Sequence, residues 1–121
     1  MTELNLRNYA HIGDAVWELF VREYTVYKTQ NLNLLHKMTT GFVNMNFQAE
    51  VLDFINDKLS DFEQEISKRA RNCQIPINRR NNQFEYRKST SLEALIGYWY
   101  LNDKDRLDEI MDLIKMQYFS E

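Results

Sequence analysis

Two acidic residues, Asp14 and Glu93, are the strongest candidates for chemistry in this chain of 121 residues. Each lies on an expected helix close to a glycine: Gly13 precedes Asp14, and Gly97 lies one turn after Glu93. A glycine inside a helix costs about 1 kcal/mol relative to alanine and most often permits two backbones to approach closely. If the two helices cross at these glycines, the carboxylates can share one Mg²⁺ or Mn²⁺, because both ions prefer hard oxygen ligands.

The spacing of the charged residues also allows purely structural roles. Glu93 lies three residues after Thr90, which is the spacing of a capping box at a helix N-terminus. Glu18 lies four residues before Arg22, the favourable orientation for a surface ion pair. Spacing alone favours these roles, because intrahelical pairs are the commoner use of such residues. Asp14 is harder to explain in this way, since Glu18 at i+4 is a like charge that a nearby cation would relieve.

Other reactive residue types offer less. His11 and His36 have no cysteine or histidine partners at zinc-ligand spacing, so we do not expect a zinc site. The single cysteine, Cys73, cannot form an internal disulfide, which fits a reducing compartment. Large apolar side chains at helical spacing are expected in the core or in a dimer interface, among them Trp17, Phe42, Phe47, Trp99 and Tyr100.

A basic segment, Lys68–Lys88, stands out against the net charge of −3. It contains one acid and seven cations, a local charge of +6, so the rest of the chain carries −9. Its cations are Lys68, Arg69, Arg71, Arg79, Arg80, Arg87 and Lys88. The segment is either a solvated basic loop or a surface that binds a polyanion such as nucleic acid.

The composition predicts one compact all-α domain over residues 1–121. Three glycines and one proline are too few for the turns of an all-β fold, and 44% apolar residues provide one small core. We expect no signal peptide and no membrane span, because the N-terminus lacks a basic-then-apolar pattern and no apolar run is long enough. The expected location is the cytoplasm.

The elements that must position the two acids are helices of period 3.6. Apolar residues recur over 8–27, and two further helices reach Ile55 with Gly41 at their junction. Ser60 and Glu63 have capping-box spacing, so a fourth helix is expected to begin there and run to Asn72. Pro76 is expected to end that region. A polar, exposed loop is expected over 73–89, followed by helices over 91–101 and 103–119.

The residues around both glycines resemble a known family. His11–Val16, with the letters HIGDAV, resembles the signature helix of the ribonuclease III catalytic domain, and Leu92–Gly97, LEALIG, resembles its second acidic motif. Arg69–Asn72, Pro76 and Tyr86–Thr90 follow the order and spacing of the compact bacterial branch, Mini-ribonuclease III, which consists of the catalytic domain alone. The likeness covers nearly the whole chain.

The chain departs from the wider ribonuclease III pattern at two positions. That pattern has a glutamate four residues before the signature aspartate and an aspartate three residues before the second glutamate, where this chain has Ala10 and Thr90. The compact branch is similarly reduced and keeps the pair that corresponds to Asp14 and Glu93. The resemblance therefore implies two catalytic, metal-binding carboxylates, with Glu18 as a candidate outer ligand.

The resemblance implies a homodimer that cleaves double-stranded RNA with Mg²⁺ or Mn²⁺ and leaves 5′-phosphate and 3′-hydroxyl ends. Its implied substrate is the precursor of large-subunit (23S) ribosomal RNA. We expect no separate double-stranded-RNA-binding domain of the kind that larger relatives have, so the basic segment is the expected substitute. A-form RNA hides its base edges in a deep, narrow groove, so we expect contacts to phosphates and 2′-hydroxyls with little sequence preference.

Two other functions remain open at this point. The missing carboxylates allow a catalytically silent, dimeric RNA-binding protein. Carboxylate-bearing helices also occur in helical nucleotide pyrophosphohydrolases, although a small nucleotide does not need so many separated cations. Cleavage of an RNA duplex that depends on Mg²⁺ would exclude both alternatives.

Overall fold

The computed structural model describes residues 4–73 and 81–119, which contain six α-helices and no strand. The helices are α1 (Leu6–Thr25), α2 (Leu32–Val43), α3 (Met45–Ile55), α4 (Asp61–Arg71), α5 (Gln83–Asn102) and α6 (Lys104–Tyr118), and a 3₁₀ turn at Asn56–Lys58 follows α3. The all-α prediction is confirmed. In the part of the chain that the structure describes, no helix combines the length and apolar character needed to cross a membrane.

Polar side chains begin five of these helices. Asn5, Asn31 and Asn44 each accept a hydrogen bond from a backbone N–H in the first turn of α1, α2 and α3, and Asp103 does the same for α6. The predicted capping box at Ser60 is present at the start of α4. These caps satisfy backbone donors that lack a partner inside the helix.

Two predicted boundaries were wrong near the N-terminus. The first helix runs from Leu6 to Thr25 instead of over 8–27, because Asn5 caps it earlier, and Tyr27 lies beyond it with 91% of its surface exposed. Gly41 does not mark a junction, since it lies inside α2. The break falls at Asn44, whose side chain accepts the N–H of Phe47 and so starts α3.

The long polar loop predicted over 73–89 was also wrong in its second half, because α5 already begins at Gln83. Its first turns lack an apolar stripe, and polar contacts stabilise them. Lys88 Nζ lies 4.3 Å from the centre of the Phe84 ring, one turn earlier, and 2.8 Å from the carboxylate of Asp53 on α3. Hydrophobic periodicity therefore gives no signal for the start of this helix.

Helix α5 lies at the centre of the fold and packs against α1, α3, α4 and α6. A helix surrounded in this way is apolar on most of its faces, which explains the buried run Leu92, Ala94, Leu95, Ile96 and Trp99. Trp17 and Trp99 are fully buried, as predicted, and their indole N–H groups donate to the Phe42 carbonyl and to the Glu63 carboxylate. Tyr100 instead lies at the surface.

Candidate active site

Helices α1 and α5 cross in direct backbone contact at the two predicted glycines. A Cβ atom on Gly13 would lie 1.8 Å from the carbonyl oxygen of Glu93, and one on Gly97 would lie 1.8 Å from that of Tyr9. No side chain fits in either space. The prediction that both glycines permit close approach of the two helices is therefore confirmed.

At this crossing the carboxyl groups of Asp14 and Glu93 are close enough to interact electrostatically. Asp14 is exposed, whereas Glu93 is partly buried between α1 and α3. Burial and the neighbouring Asp14 carboxyl together raise the pKa of Glu93 to about 8. The alternative role of Glu93 in a capping box with Thr90 is excluded, because both residues lie inside α5.

A third side chain, Gln48 on α3, reaches the same site and was missed by the sequence analysis. Its amide nitrogen Nε2 lies 3.5 Å from Oε2 of Glu93, and only 3% of the residue surface is exposed. A signal was present: Gln48 occupies the apolar stripe of α3 together with Leu52 and Ile55, where a polar residue is unusual.

The residues at the crossing fit a hard divalent cation. Two carboxylates in contact repel each other when both are ionised, and a cation between them would relieve that repulsion. Mg²⁺ keeps several water ligands and commonly uses only one or two protein carboxylates. Over residues 4–73 and 81–119 no group of three or more His, Cys, Asp or Glu side chains is arranged to hold a metal, in line with Ala10 and Thr90 at the other two family positions.

Glu18, the candidate outer ligand, has a different partner. Its carboxylate Oε1 accepts a hydrogen bond from Arg22 Nη2 at 2.8 Å, which is the predicted surface ion pair. His11 and His36 are exposed, and the Cys73 thiol donates to the carbonyl of Arg69.

The structure divides the basic segment into two groups. Lys68 and Arg69 are exposed near the end of α4. Arg87 is engaged within the protein, since its guanidinium donates to the carbonyl of Arg71, and Lys88 binds both carboxylate oxygens of Asp53 at 2.8 and 3.0 Å. The negative charge of Asp53 therefore balances the positive charge of Lys88 locally.

Part of the basic segment lies outside the described residues. Arg79 and Arg80, which the sequence assigns to an RNA-binding surface, fall within residues 74–80, as does Pro76. Their assignment stays a prediction.

Several known proteins are similar to this chain in sequence. The ribonuclease III domain profile matches residues 7–104, which include both carboxylates. The chain is 37% identical over 118 residues to Mini-ribonuclease 3 of Clostridium tetani, covering 94% of this chain and 78% of that protein. It is 35% identical over 116 residues to Mini-ribonuclease 3 of Staphylococcus aureus, covering 92% and 87%.

A solved structure agrees with these sequence matches. An X-ray crystal structure of a protein from Fusobacterium nucleatum superimposes with a TM-score of 0.78 at 32% identity, covering 90% of this chain and 89% of that chain. The helices that carry the carboxylate pair lie in the matched domain. The chain therefore belongs to the Mini-ribonuclease 3 branch of the ribonuclease III family.

Proposed function

We propose that this chain is a metal-dependent endoribonuclease that hydrolyses phosphodiester bonds of double-stranded RNA and leaves 5′-phosphate and 3′-hydroxyl ends. The observation that carries the proposal is the glycine crossing of α1 and α5, which places the Asp14 and Glu93 carboxyl groups close enough to interact. Both residues lie in the two motifs that resemble those of the ribonuclease III catalytic domain. Family membership supports the same reaction class.

Asp14 and Glu93 would hold Mg²⁺, or Mn²⁺ in its place. When bound, such a cation supplies a water molecule of lowered pKa and stabilises charge on the scissile phosphate and on the leaving 3′-oxygen. Gly13 and Gly97 fix the distance between the two helices and so hold the carboxylates together. Asp14 is exposed, so a phosphate of the duplex has access to the site.

The basic segment is the surface that we propose for the RNA backbone. Lys68 and Arg69 are exposed there, and Arg71, Arg79, Arg80, Arg87 and Lys88 complete the proposed set. Each phosphate contact releases counterions, so affinity should depend strongly on salt and little on sequence. The proposed natural substrate is the precursor of large-subunit ribosomal RNA, processed in the cytoplasm during ribosome biogenesis.

The functional unit that we propose is a homodimer with two symmetric sites along one RNA duplex. Large apolar side chains remain exposed on α1, on α2 and between them: Leu19, Val26, Tyr27, Leu32 and Leu34. Clusters of exposed apolar residues are typical of protein interfaces. A second copy of this chain would bury them.

One cleavage experiment separates this function from its alternatives. RNA duplex, single-stranded RNA and nucleoside triphosphates are each incubated with the protein, with and without Mg²⁺. We expect cleavage of the duplex only, and only with the metal present. Binding of the duplex without cleavage would indicate a silent RNA-binding protein, and release of pyrophosphate from nucleotides would indicate a pyrophosphohydrolase.

A further inference from the structure

We propose that Gln48 is a positioning residue for Glu93: its amide N–H holds the Glu93 carboxylate in the orientation that binds a divalent cation. This inference rests on the proposed function, which assigns the cation to Asp14 and Glu93. Gln48 acts through Glu93 and does not need to touch the cation itself.

The place of Gln48 in α3 argues against a role in packing alone. The helix turns one face towards the core, where Leu52 and Ile55 are almost completely buried, and Gln48 lies on that face with 3% of its surface exposed. Apolar residues normally fill such positions, because a buried amide needs a hydrogen-bond partner. Its Nε2 lies 3.5 Å from the carboxylate of Glu93, longer than the roughly 2.7–3.2 Å of a typical hydrogen bond, so a small shift of either side chain would shorten the contact.

The chemistry of the two groups sets the direction of this contact. A carboxylate that binds a cation is ionised and only accepts hydrogen bonds, so in the cation-bound state the amide nitrogen of Gln48, and not its oxygen, faces Glu93. Asp14 approaches Glu93 from α1, and when both groups are ionised the two like charges push the Glu93 carboxylate away from the shared position. A donor on α3, which also packs against α5, opposes that displacement.

A group that hydrogen-bonds to a metal ligand fixes the orientation of that ligand and so affects how tightly the metal binds. Removing such a partner typically weakens metal affinity or activity by about 10- to 100-fold. Loss of the Gln48 amide should therefore raise the metal concentration that the protein needs. At saturating metal the cleavage rate should recover most of the wild-type value, because Asp14 and Glu93 remain.

The test uses two substitutions of Gln48 and one control. Gln48→Met keeps the length and flexibility of the side chain but removes the donor. Gln48→Asn keeps the amide but is one methylene too short to maintain the contact. The control is Thr39→Val, which removes a buried hydroxyl contact between Thr39 and Thr25. Thr25 lies eleven residues after Asp14, a distance of about 16 Å along α1.

Two measurements are made on the full chain. One is the rise in melting temperature on titration with Mn²⁺ in the absence of RNA, which reports metal binding without catalysis. The other is the Mg²⁺ concentration at half-maximal duplex cleavage. We expect both midpoints to increase by about tenfold in Gln48→Met and in Gln48→Asn, and to stay at the wild-type value in Thr39→Val.

Each outcome has a distinct meaning. If Gln48 only packs, Gln48→Met will have wild-type metal midpoints and Gln48→Asn will lose stability alone, and the inference fails while the proposed function stands. If Mn²⁺ raises the melting temperatures of the wild type and of Asp14→Asn equally, the metal site itself is misassigned. In that case the carboxylate pair no longer supports the proposed function, and the proposed role of Gln48 is contradicted as well.

Discussion

Glu63 is a buried carboxylate whose pKa is shifted in the opposite direction to that of Glu93. Burial alone would raise its pKa, but hydrogen bonds outweigh that effect. The Arg106 guanidinium donates to both carboxylate oxygens at 2.8 and 2.9 Å, the Ser60 N–H donates at 2.8 Å, and the indole of Trp99 donates at 2.9 Å. These contacts lower the pKa of Glu63 to about 2.

The low pKa of Glu63 predicts a loss of stability in acid. A carboxylate whose pKa falls from 4.5 in the unfolded chain to about 2 in the folded protein stabilises the fold above pH 4.5. This contribution, on the order of 3 kcal/mol, is lost as the pH falls from 4.5 to 2. In urea denaturation at pH 7, we expect Glu63→Gln to lower the free energy of unfolding by about that amount.

The matched control for this prediction is Glu65→Gln, an exposed glutamate on the same helix. It should change the free energy of unfolding by less than about 0.5 kcal/mol. Between pH 7 and pH 3 the difference between the wild type and Glu63→Gln should shrink. A difference that is constant with pH would show that the ion pair with Arg106 does not stabilise the fold through the charge of Glu63.

Sequence alone made Asp14 and Glu93 candidates, because each lies close to a glycine that breaks the local helix preference and within a motif that resembles the ribonuclease III domain. No glycine of this kind lies close to Gln48 or Arg106 in the sequence. Their partners, Glu93 and Glu63, lie more than 40 residues away in the chain, so only the packing of separate helices reveals the contacts. For Gln48, a polar residue on an apolar stripe was a usable but overlooked signal.

At the scale of the elements, the crossing of α1 and α5 determines the geometry of the site. Alanine at position 13 or 97 would place a Cβ within 1.8 Å of a backbone carbonyl oxygen, so the helices must move apart. We expect Gly13→Ala and Gly97→Ala each to lower the free energy of unfolding by about 3 kcal/mol and to reduce cleavage strongly. Thermal or urea unfolding measures the first effect directly.

Gly41 provides the control for this crossing, because a Cβ there meets no atom within 4 Å. It lies inside α2, where alanine is the better helix former. Gly41→Ala should therefore raise the free energy of unfolding by about 0.5–1 kcal/mol. Wild-type stability in Gly97→Ala would contradict the close approach of the two backbones.

The elements that could be predicted are those with a local signal. The capping box at Ser60 and the last helix, expected over 103–119, are examples, and both were confirmed. The start of α5 could not be predicted, because Asp53 on another helix stabilises its first turns through Lys88. A contact between residues 35 positions apart leaves no periodicity in the local sequence.

At the scale of the whole molecule, the exposed apolar residues of α1 and α2 predict a stable homodimer. Leu32 is 78% exposed and Leu19 is 59% exposed, and neither has a place in the core of one chain. We expect light scattering at micromolar concentration to give the mass of two chains, with an interface of about standard size or larger. A monomer under these conditions would contradict the proposed assembly.

The basic segment predicts that RNA binding and chemistry can be separated. Arg79→Ala combined with Arg80→Ala should weaken duplex binding and lower the salt slope by roughly one unit for each lost phosphate contact. The rate at saturating RNA should change much less. Lys104→Ala combined with Lys115→Ala removes the same charge from exposed positions on α6 and serves as the control.

Unchanged affinity and unchanged salt dependence in the Arg79 and Arg80 double variant would show that this part of the segment is merely solvated. Equal weakening in the α6 control would indicate a general effect of charge. Only a loss confined to the first variant supports the basic segment as the RNA surface.

The central claim is that Asp14 and Glu93 together hold the metal for cleavage of an RNA duplex. Its most direct test is the rate of duplex cleavage at saturating Mg²⁺ by Asp14→Asn and Glu93→Gln, with Asp112→Asn, an exposed aspartate on α6, as the control. Amides keep the shape of the side chains but lose the charge that attracts the cation. We predict that both variants bind the duplex without cleaving it, whereas the control cleaves normally; near-normal turnover by either variant would contradict the assignment.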